Sequence, residues 1–376
     1  MLKVAIVGCG KIADDHASQI KRIAGCAIVG ACDAEPLMAR QFHERFGVSR
    51  YFSDLRELLH EARPDVVHVC TPPQSHFEIA KLCIEAGCHV YVEKPFALCL
   101  DEARTLIASA IGKGLKITAG HDDQFRPAAR RMRALVQDGF LGTGPVHMES
   151  YYCYELGGSS YAKVLLGDKH HWARKLPGKL LHNIISHGIA RIAEFLTGDA
   201  PQVIACGFTS PALRSSGESE IIDELRVIIS DEERVTAYFT FSSQMRPALH
   251  QFRVYGEKNG LILDQDQETL IRLRGKRYVS YAEKFIPPIS FARQYLGNFR
   301  TNLRAFLAND FHMKSGMKYL IESFYRSILE GTPEPIPYRE ILLTAQIMDE
   351  IFAQLNAQHQ RVPVPLQMSV HSALTK

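Results

Sequence analysis

A regular alternation of short apolar runs with helix-like segments fills the first 120 residues and constrains the fold more than any other feature. The first apolar run, residues 2–7, leads through a glycine-rich turn into a helical pattern. Four further apolar runs lie at residues 27–32, 65–70, 88–92 and 115–119. Strands that alternate with helices in this way predict a parallel, doubly wound α/β sheet.

The glycine-rich turn after the first strand has the pattern of a phosphate-binding loop, GxGxxA. Gly8 permits a tight bend, Gly10 lets the backbone approach a pyrophosphate, and Ala13 lets the helix pack closely on the strand. The helix that opens with Lys11 and Ile12 then faces the phosphates with its unpaired N–H groups. A glycine turn without a ligand is the alternative interpretation.

Asp33 ends the second strand, about 20 residues beyond the glycine turn, where a carboxylate can accept hydrogen bonds from a ribose diol. A carboxylate at this position repels a 2′-phosphate, so the sequence favours NAD over NADP. Arg40 lies on the next predicted helix and could reach back and reverse this preference.

Lys94 directly follows a buried strand, in the segment Tyr91-Val92-Glu93-Lys94-Pro95. Open α/β sheets bind ligands at the carboxyl ends of their strands. Apolar walls and a cationic cofactor would lower the pKa of this lysine and let it transfer protons near neutral pH. Thr71 and Pro72 follow the preceding strand and are predicted to lie on the same rim. A solvated surface turn is the alternative interpretation of the lysine segment.

Composition excludes several classes of protein. The 376 residues are 46% hydrophobic and 23% charged, with a formal net charge of +3, which is too balanced for a protein whose main partner is nucleic acid. The chain has no apolar run of about twenty residues, and its first residues lead into a strand rather than a signal peptide. Nine cysteines without a CxxC pair indicate reduced thiols and a cytoplasmic protein.

The amino-terminal segments resemble the Gfo/Idh/MocA oxidoreductase family, which includes glucose–fructose oxidoreductase and inositol dehydrogenase. The resemblance is carried by VAIVGCGKIADDHASQI and by DVVHVCTPPQSHFEIAKLCIEAGCHVYVEKP. It implies an NAD(P)-binding Rossmann domain, residues 1–121, and a substrate-binding α/β domain, residues 122–376, with an open, mostly antiparallel sheet. That sheet commonly forms the dimer face, so the resemblance also implies a homodimer or homotetramer.

The same resemblance assigns roles to individual residues. Lys94 matches the family's active-site lysine, and the Lys94–Pro95 bond is often cis there. Cofactor contacts are also assigned to Thr71, Pro72, His76 and Glu93, and His16 matches a position close to the cofactor. Local helix packing is the alternative interpretation for His16 and His76.

A second group of candidate residues lies on the helix predicted to end at residue 196. Asn183 and His187 are four residues apart and therefore share one face. The resemblance identifies them with an Asp-x-x-x-His pattern in which the histidine lies near the reacting carbon, and asparagine here replaces the aspartate. Asparagine can orient a hydroxyl but cannot carry a proton, so proton transfer would fall to Lys94 and His187.

Other residues have two interpretations each. Arg126 either binds substrate or caps the helix predicted over 128–137, and Trp172 is either a substrate platform or a packing residue. The spacing of His170, His171, His182 and His187 matches no standard zinc pattern, so no metal is predicted. Residues 271–308 contain eight Lys or Arg, one acid and five aromatic side chains at positions 285–306. This segment could bind an anionic substrate or a membrane surface, or simply cover the cleft or a neighbouring subunit.

The sequence therefore predicts an NAD-dependent oxidoreductase that acts on a secondary alcohol of a sugar, polyol or related small molecule. One alternative is an enzyme that retains its NAD and uses transient oxidation for epimerisation or glycoside cleavage, an alternative suggested by Asn183. Another is a non-catalytic dinucleotide-binding regulator, suggested by Asn183 together with the altered Asp122 and Gln124 segment.

Overall fold

The first of two β-sheets is parallel and forms the amino-terminal half of the fold. The structure, a computed structural model, describes residues 1–155, 165–231, 234–308, 310–311 and 314–360. The strands of the first sheet are β1 (Leu2–Val7), β2 (Cys26–Cys32), β3 (Tyr51–Phe52), β4 (Val66–Val69), β5 (His89–Val92) and β6 (Ile117–Ala119). Their order is β3-β2-β1-β4-β5-β6, which reverses direction between β1 and β4. Ligands of such sheets bind at the carboxyl ends of the strands, beside this reversal.

Five helices connect these strands and confirm the predicted doubly wound sheet. They are α1 (Lys11–Ile20), α2 (Pro36–Phe46), α3 (Leu55–Ala62), α4 (His76–Glu85) and α5 (Leu100–Gly112). All four residues of β4 are buried because helices cover both faces of the sheet. The predicted boundaries differ from the observed ones by one or two residues. The two-residue strand β3 was not predicted, since two residues are too few to show a period.

The second sheet has seven strands and is mostly antiparallel, as predicted. Its strands are β7 (Pro145–Cys153), β8 (Gln202–Phe208), β9 (Glu224–Asp231), β10 (Val235–Ser242), β11 (Leu249–Gly256), β12 (Asn259–Asp264) and β13 (Thr269–Arg274). Their order is β13-β12-β11-β7-β10-β9-β8, and only the pairing of β7 with β10 is parallel. Buried and exposed residues alternate along β8, β9 and β10, which is typical of a sheet with one face packed on a core.

In the described ranges beyond residue 121, the structure has seven helices. They are α6 (Pro127–Gln137), α7 (Lys179–Ile184), α8 (Ser186–Ala193), α9 (Pro211–Ser215), α10 (Ala282–Leu307), α11 (Ser315–Glu330) and α12 (Tyr338–Gln360). Residues of α6, α8 and α12 pack with the buried side chains of the second sheet, for example Met132, Ile189 and Ile347. A turn of 3₁₀-helix, Asp122–Phe125, joins the first sheet to α6.

The prediction of a single helix through residue 196 is wrong, because the structure divides this segment at Ile185 into α7 and α8. The ψ angle of Ile185 is −14°, which is less negative than the value of about −42° in a regular α-helix. Gly188 then brings α8 against the sheet, since a Cβ there would lie 2.5 Å from the ring of Phe239. This close approach depends on the partner sheet and leaves no periodic signal in the helix sequence.

Helix α11 packs into the core of the first sheet although it lies near the end of the chain. Met317, Leu320, Ile321 and Phe324 are almost fully buried among residues of that core. The two parts of the protein are therefore joined by packing as well as by the chain at residue 121.

Helix α10 covers the edge of the second sheet at β13. The side-chain amide of Asn298 accepts a hydrogen bond from Leu270 N and donates one to Leu270 O, at 3.1 and 3.0 Å. Gln294 pairs with the backbone of Arg272 in the same way, at 2.8 and 3.2 Å. Four helical residues rise by about 6.0 Å and two strand residues by about 6.6 Å, so amides four residues apart can follow the edge. Within the described ranges no helix, α10 included, is both long and apolar enough to cross a membrane.

Candidate active site

A cavity of about 530 Å³ lies at the carboxyl ends of β1, β2 and β4, beside the glycine turn. Its walls include the predicted cofactor residues Gly8, Gly10, Asp33, Thr71 and Pro72. The φ angle of Gly8 is +88°, and a Cβ there would lie 2.8 Å from the backbone of Cys70 and Thr71. Only glycine can form this turn, because both the angle and the space exclude a side chain.

Gly10 and the start of α1 fit a dinucleotide phosphate. A Cβ added to Gly10 would meet no atom within 4 Å, so open space adjoins the backbone there. Gly10 is the N-cap of α1 and provides no side-chain cap for the first turn. The helix dipole and the first-turn N–H groups can therefore act on an anion. Ile12 lies in this turn and also lines the neighbouring cavity.

Asp33 is held rigidly at the rim of the groove. Its Oδ2 accepts a hydrogen bond from Cys9 N at 2.7 Å, and its Oδ1 accepts one from Glu35 N at 2.9 Å. A carboxylate has about four acceptor positions, so two remain for a ribose diol. Arg40 does not reach back toward Asp33; its Nε donates to Glu44 Oε1 at 2.9 Å.

A second cavity of about 500 Å³ lies beside the first and collects most of the predicted catalytic and substrate residues. Lys94, Arg126, Asn183 and His187 all line it. The other lining residues are Ile12, Asp122, Asp123, Tyr152, Tyr154, Glu155, Ile184, His250, Gln265, Asp266 and Lys314. The cavity is therefore built by the end of β5, the 3₁₀ turn, helices α7 and α8, and the second sheet.

The Lys94 side chain extends into this cavity and is held by Asn183. Lys94 Nζ donates a hydrogen bond to the backbone carbonyl of Asn183 at 3.0 Å, and the Lys94–Pro95 peptide bond is cis. Burial lowers the pKa of Lys94, and the negative charges of Glu93, Asp122 and Asp123 oppose this shift. A bound anion would therefore raise the pKa of the Lys94 amine, and a bound cation would lower it.

Glu93 is a buried carboxylate that anchors the strand end below Lys94. Its Oε1 lies 2.8 Å from His16 Nε2, and His16 Nδ1 lies 2.8 Å from His68 Nδ1. Burial favours the neutral acid, but the hydrogen bond and charge of His16 and the charge of Lys94 outweigh it and lower the pKa of Glu93 to about 2. His68 Nε2 continues the network to Tyr325 OH at 2.7 Å.

Neither predicted histidine near the cofactor lies in the cavity walls. His16 is fully buried in the Glu93 network. The ring nitrogens of His76 lie 2.9 Å from the carbonyl oxygens of Pro95 and Thr71, so this residue braces the loops that follow β4 and β5. The geometry favours local packing, the alternative interpretation, for both residues.

Two carboxylates beside His187 were not among the predicted site residues. Asp123 Oδ2 lies 3.8 Å from His187 Nδ1 and accepts a hydrogen bond from Tyr152 OH at 3.0 Å. Burial, together with the negative charges of Asp123 and Glu93, raises the pKa of Asp122 to about 7. Burial favours the neutral form of Asp123 as well, but His187 when protonated and the permanent charges of Arg126 and Arg191 lower its pKa.

His187 itself is neutral at physiological pH. Burial lowers its pKa to about 4, although the negative charge of Asp123 acts in the opposite direction. Its side chain is 11% exposed, and Nδ1 has no hydrogen-bond partner among the described residues. A neutral imidazole in this position can orient a hydroxyl, whereas it binds a proton weakly.

Arg126 and Trp172 differ in their relation to the cavity. Arg126 lines it and forms an ion pair with the carboxylate of Glu268, which lies in the turn between β12 and β13. Trp172 lies in the 3₁₀ turn Trp172–Lys175, where its carbonyl accepts a hydrogen bond from Gln74 Nε2 at 2.8 Å. It is not among the residues that line the cavity, and its substrate role stays a prediction.

Asp122, Asp123 and His187 could in principle hold a cation, since their ligand atoms all lie within 4.8 Å of one another. Positive charges already act on both carboxylates, from Lys94 and Lys314 at Asp122 and from Arg126 at Asp123. This compensation is consistent with the prediction of a metal-free site, which stays a prediction.

The cavity residues that were not predicted have only a weak signal in the sequence. Asp122 and Asp123 lie three and four residues beyond the end of β6, at the same sheet edge as Lys94. Two adjacent acids at the end of a parallel strand are a usable signal. Tyr152, His250 and Lys314 lie far apart in the chain, and only the fold brings them to one cavity.

Known proteins share this architecture. Residues 2–121 match the oxidoreductase family with an NAD-binding Rossmann fold. D-glucoside 3-dehydrogenase from Escherichia coli is 34% identical over 142 residues, which are 38% of this chain and only 40% of that protein. D-apiose dehydrogenase from Paraburkholderia graminis is 26% identical over 299 residues, 77% of this chain and 74% of that protein.

A solved structure extends the likeness to nearly the whole fold. The WlbA dehydrogenase from Bordetella pertussis, in complex with NADH and UDP-GlcNAcA, superposes with a TM-score of 0.76 at 15% identity. The superposition covers 95% of this chain and 96% of that one. The glycine turn, Asp33 and the Glu93-Lys94-Pro95 strand end all lie in residues 2–121, the part of this chain that matches the Gfo/Idh/MocA family of NAD-binding oxidoreductases.

Proposed function

We propose that this protein is an NAD-dependent dehydrogenase that oxidises a secondary alcohol of a sugar, polyol or related small molecule. The observation that carries the proposal is Lys94, whose amine lies in a polar cavity next to the glycine turn. The relatives named D-glucoside 3-dehydrogenase and D-apiose dehydrogenase support a sugar-like substrate. Aromatic and hydrogen-bonding walls, formed by Tyr152, Tyr154 and His250, suit a molecule rich in hydroxyl groups.

We also propose NAD rather than NADP as the cofactor. Gly8, Gly10 and the N-terminus of α1 would hold the pyrophosphate, and Asp33 would hold the adenosine ribose. The ion pair of Arg40 with Glu44 supports this choice, because it engages the guanidinium, and Arg40 is not among the residues that line the cavity beside Asp33. When bound, the nicotinamide supplies the acceptor for the hydride.

The side chains of this protein would move the proton. Lys94 in its neutral form accepts the hydroxyl proton, while the Asn183 carbonyl holds its amine in place. The Asn183 side chain positions the hydroxyl, and neutral His187 adds a second hydrogen bond to it. Asp123 and Tyr152 keep the His187 ring in position, and Arg126 contacts a more distant part of the substrate.

The decisive experiment compares wild-type protein with Lys94→Ala. Fluorescence titration with NADH and NADPH measures cofactor binding, and a panel of sugars and polyols with NAD measures turnover. We expect tighter binding of NADH than of NADPH in both proteins. Turnover should fall at least ~100-fold in Lys94→Ala, because the general base is lost. Turnover equal to wild type would remove Lys94 from the chemistry, and stronger NADPH binding would overturn the cofactor assignment.

A second candidate function is an enzyme that retains NAD and oxidises its substrate only transiently, to epimerise it or to cleave a glycoside. The raised pKa of Asp122 favours this candidate, since a carboxylic acid protonated near neutral pH can donate a proton to a leaving group. If the protein with its bound NAD forms product without a net increase in NADH, this candidate is selected over the dehydrogenase. Turnover that depends on Lys94 would exclude a non-catalytic regulator.

A further inference from the structure

The outward side of helix α10 is apolar and uncovered. The inward side, which contains Phe291, Gln294 and Asn298, faces β13 and is partly or fully buried. The outward apolar side chains are 40–75% exposed; they are Phe285, Ile286, Ile289, Tyr295, Leu296, Phe299, Leu303, Phe306 and Leu307. We call this set the α10 outer face. Contiguous apolar surface of this extent marks an interaction site.

Cationic side chains flank the α10 outer face. Arg293, Arg300 and Arg304 are seven and four residues apart and so form a line along one side of the helix. Residues 271–308 contain eight Lys or Arg and a single acid, Glu283, whose carboxylate already accepts a hydrogen bond from Tyr278 N at 2.6 Å. In the part of the chain that the structure describes, none of these eight cations forms a salt bridge with an acidic side chain.

A basic groove adjoins the N-terminal half of the helix. Its volume is about 500 Å³, and Arg272, Arg274 and Lys276 line it together with Tyr278 and Phe291. Guanidinium and ammonium groups beside aromatic rings suit a phosphate that is attached to an apolar body.

These observations distinguish between two occupants. A second copy pairing through the same face would bring together two surfaces of excess positive charge, which is repulsive, since residues 271–308 of each copy contain eight Lys or Arg and one acid. The surface of an anionic bilayer offers both an apolar layer and negative phosphates. An amphipathic helix with aromatic residues on one side and arginines beside them lies in the plane of such a surface. We propose that the α10 outer face docks onto an anionic lipid bilayer.

Docking would bring the candidate active site close to the bilayer. Asn302 on α10 donates a hydrogen bond to the carbonyl of Gln267 at 3.0 Å. The two residues before Gln267, Gln265 and Asp266, line the cavity that contains Lys94. The proposal goes beyond the proposed function and does not depend on it.

Sedimentation of the purified full-length protein with vesicles tests the proposal. We expect binding to vesicles of phosphatidylcholine mixed with phosphatidylglycerol, weak binding to phosphatidylcholine alone, and release by added salt. Arg293→Gln/Arg300→Gln/Arg304→Gln should weaken binding about 100-fold, because each cation near the surface contributes about fivefold. Leu296→Glu/Phe299→Glu should abolish it.

Ile111→Glu is the matched control, since Ile111 is a 59% exposed apolar residue on α5 and should not affect binding. Circular dichroism and thermal unfolding check each variant, and the triple glutamine variant carries the test if the glutamate variant does not fold. Absence of binding to anionic vesicles at low salt overturns the proposal, as does binding that both variants retain. A wild-type dimer that Leu296→Glu/Phe299→Glu converts to a monomer, without vesicle binding, would assign the face to a second copy instead.

Discussion

At the residue scale, the charges around Lys94 determine the pH at which its amine becomes a base. Burial lowers the pKa of this amine, whereas Glu93, Asp122 and Asp123 raise it. Asp122 is the adjustable member of this set, because its own pKa is raised to about 7 and its charge therefore changes near neutral pH. Glu93, with a pKa lowered to about 2, remains charged throughout.

Asp122→Asn should shift the pH dependence of the oxidation. The variant lacks a negative charge that stabilises the Lys94 ammonium, so Lys94 loses its proton at lower pH. We expect the rising limb of the pH profile of kcat/KM to move to lower pH than in wild type. Asp266→Asn is the control, since Asp266 pairs with His250 and is not among the main charges that act on Lys94. A shift to higher pH in Asp122→Asn would contradict this account.

At the element scale, helix α11 packs against β5, the strand that precedes Lys94. Its Tyr325 OH ends the buried network that passes through His68 and His16 to Glu93, and the ring of His68 stacks on Tyr91 of β5. Buried polar groups of this kind are costly when a partner is removed. The network therefore couples a helix near the C-terminal end to the strand that presents Lys94.

Tyr325→Phe should lower the free energy of unfolding by about 1–3 kcal/mol, since it leaves the buried His68 Nε2 without its partner. Urea unfolding followed by circular dichroism measures the change. Tyr319→Phe on the same helix is the matched control, because Tyr319 is 36% exposed and its ring, rather than its hydroxyl, contacts Arg130. Equal stability of wild type and Tyr325→Phe would show that the network contributes little to folding.

At the scale of the whole molecule, the second sheet leaves one face uncovered. Ile228 pairs with Ile204 on one side and with Tyr238 on the other, and all three side chains are 47–65% exposed. They form an apolar row across three adjacent strands. The family resemblance implies that this sheet joins subunits, and the exposed row supports our prediction of a homodimer or homotetramer.

Ile228→Lys should dissociate such an oligomer, because it places an unpaired charge at the centre of the row. Light scattering coupled to size-exclusion chromatography gives the mass directly. Ile111→Lys, on the opposite part of the fold, should leave the mass unchanged. A monomeric wild-type protein would contradict the prediction, and an oligomer that survives Ile228→Lys would place the interface elsewhere.

Much of the first sheet could be predicted because its signals are local. The apolar strands, the φ angle required of Gly8 and the helix start at Lys11 all depend on a few neighbouring residues. Helix α10 was harder, since its buried side is polar and its apolar side is exposed, which is the reverse of the usual pattern.

Backbone preferences and hydrophobic period act over short distances, so the order of strands and helices, the glycine turn and the position of Lys94 at a strand end can be predicted from the amino-acid sequence. Packing between distant elements places Asp123 beside His187, Tyr325 against His68 and α10 over β13. These contacts join residues 22 or more positions apart, and packing of whole elements sets such distances. The glycine-turn motif is therefore local in the sequence, whereas the surroundings of Lys94 depend on the fold.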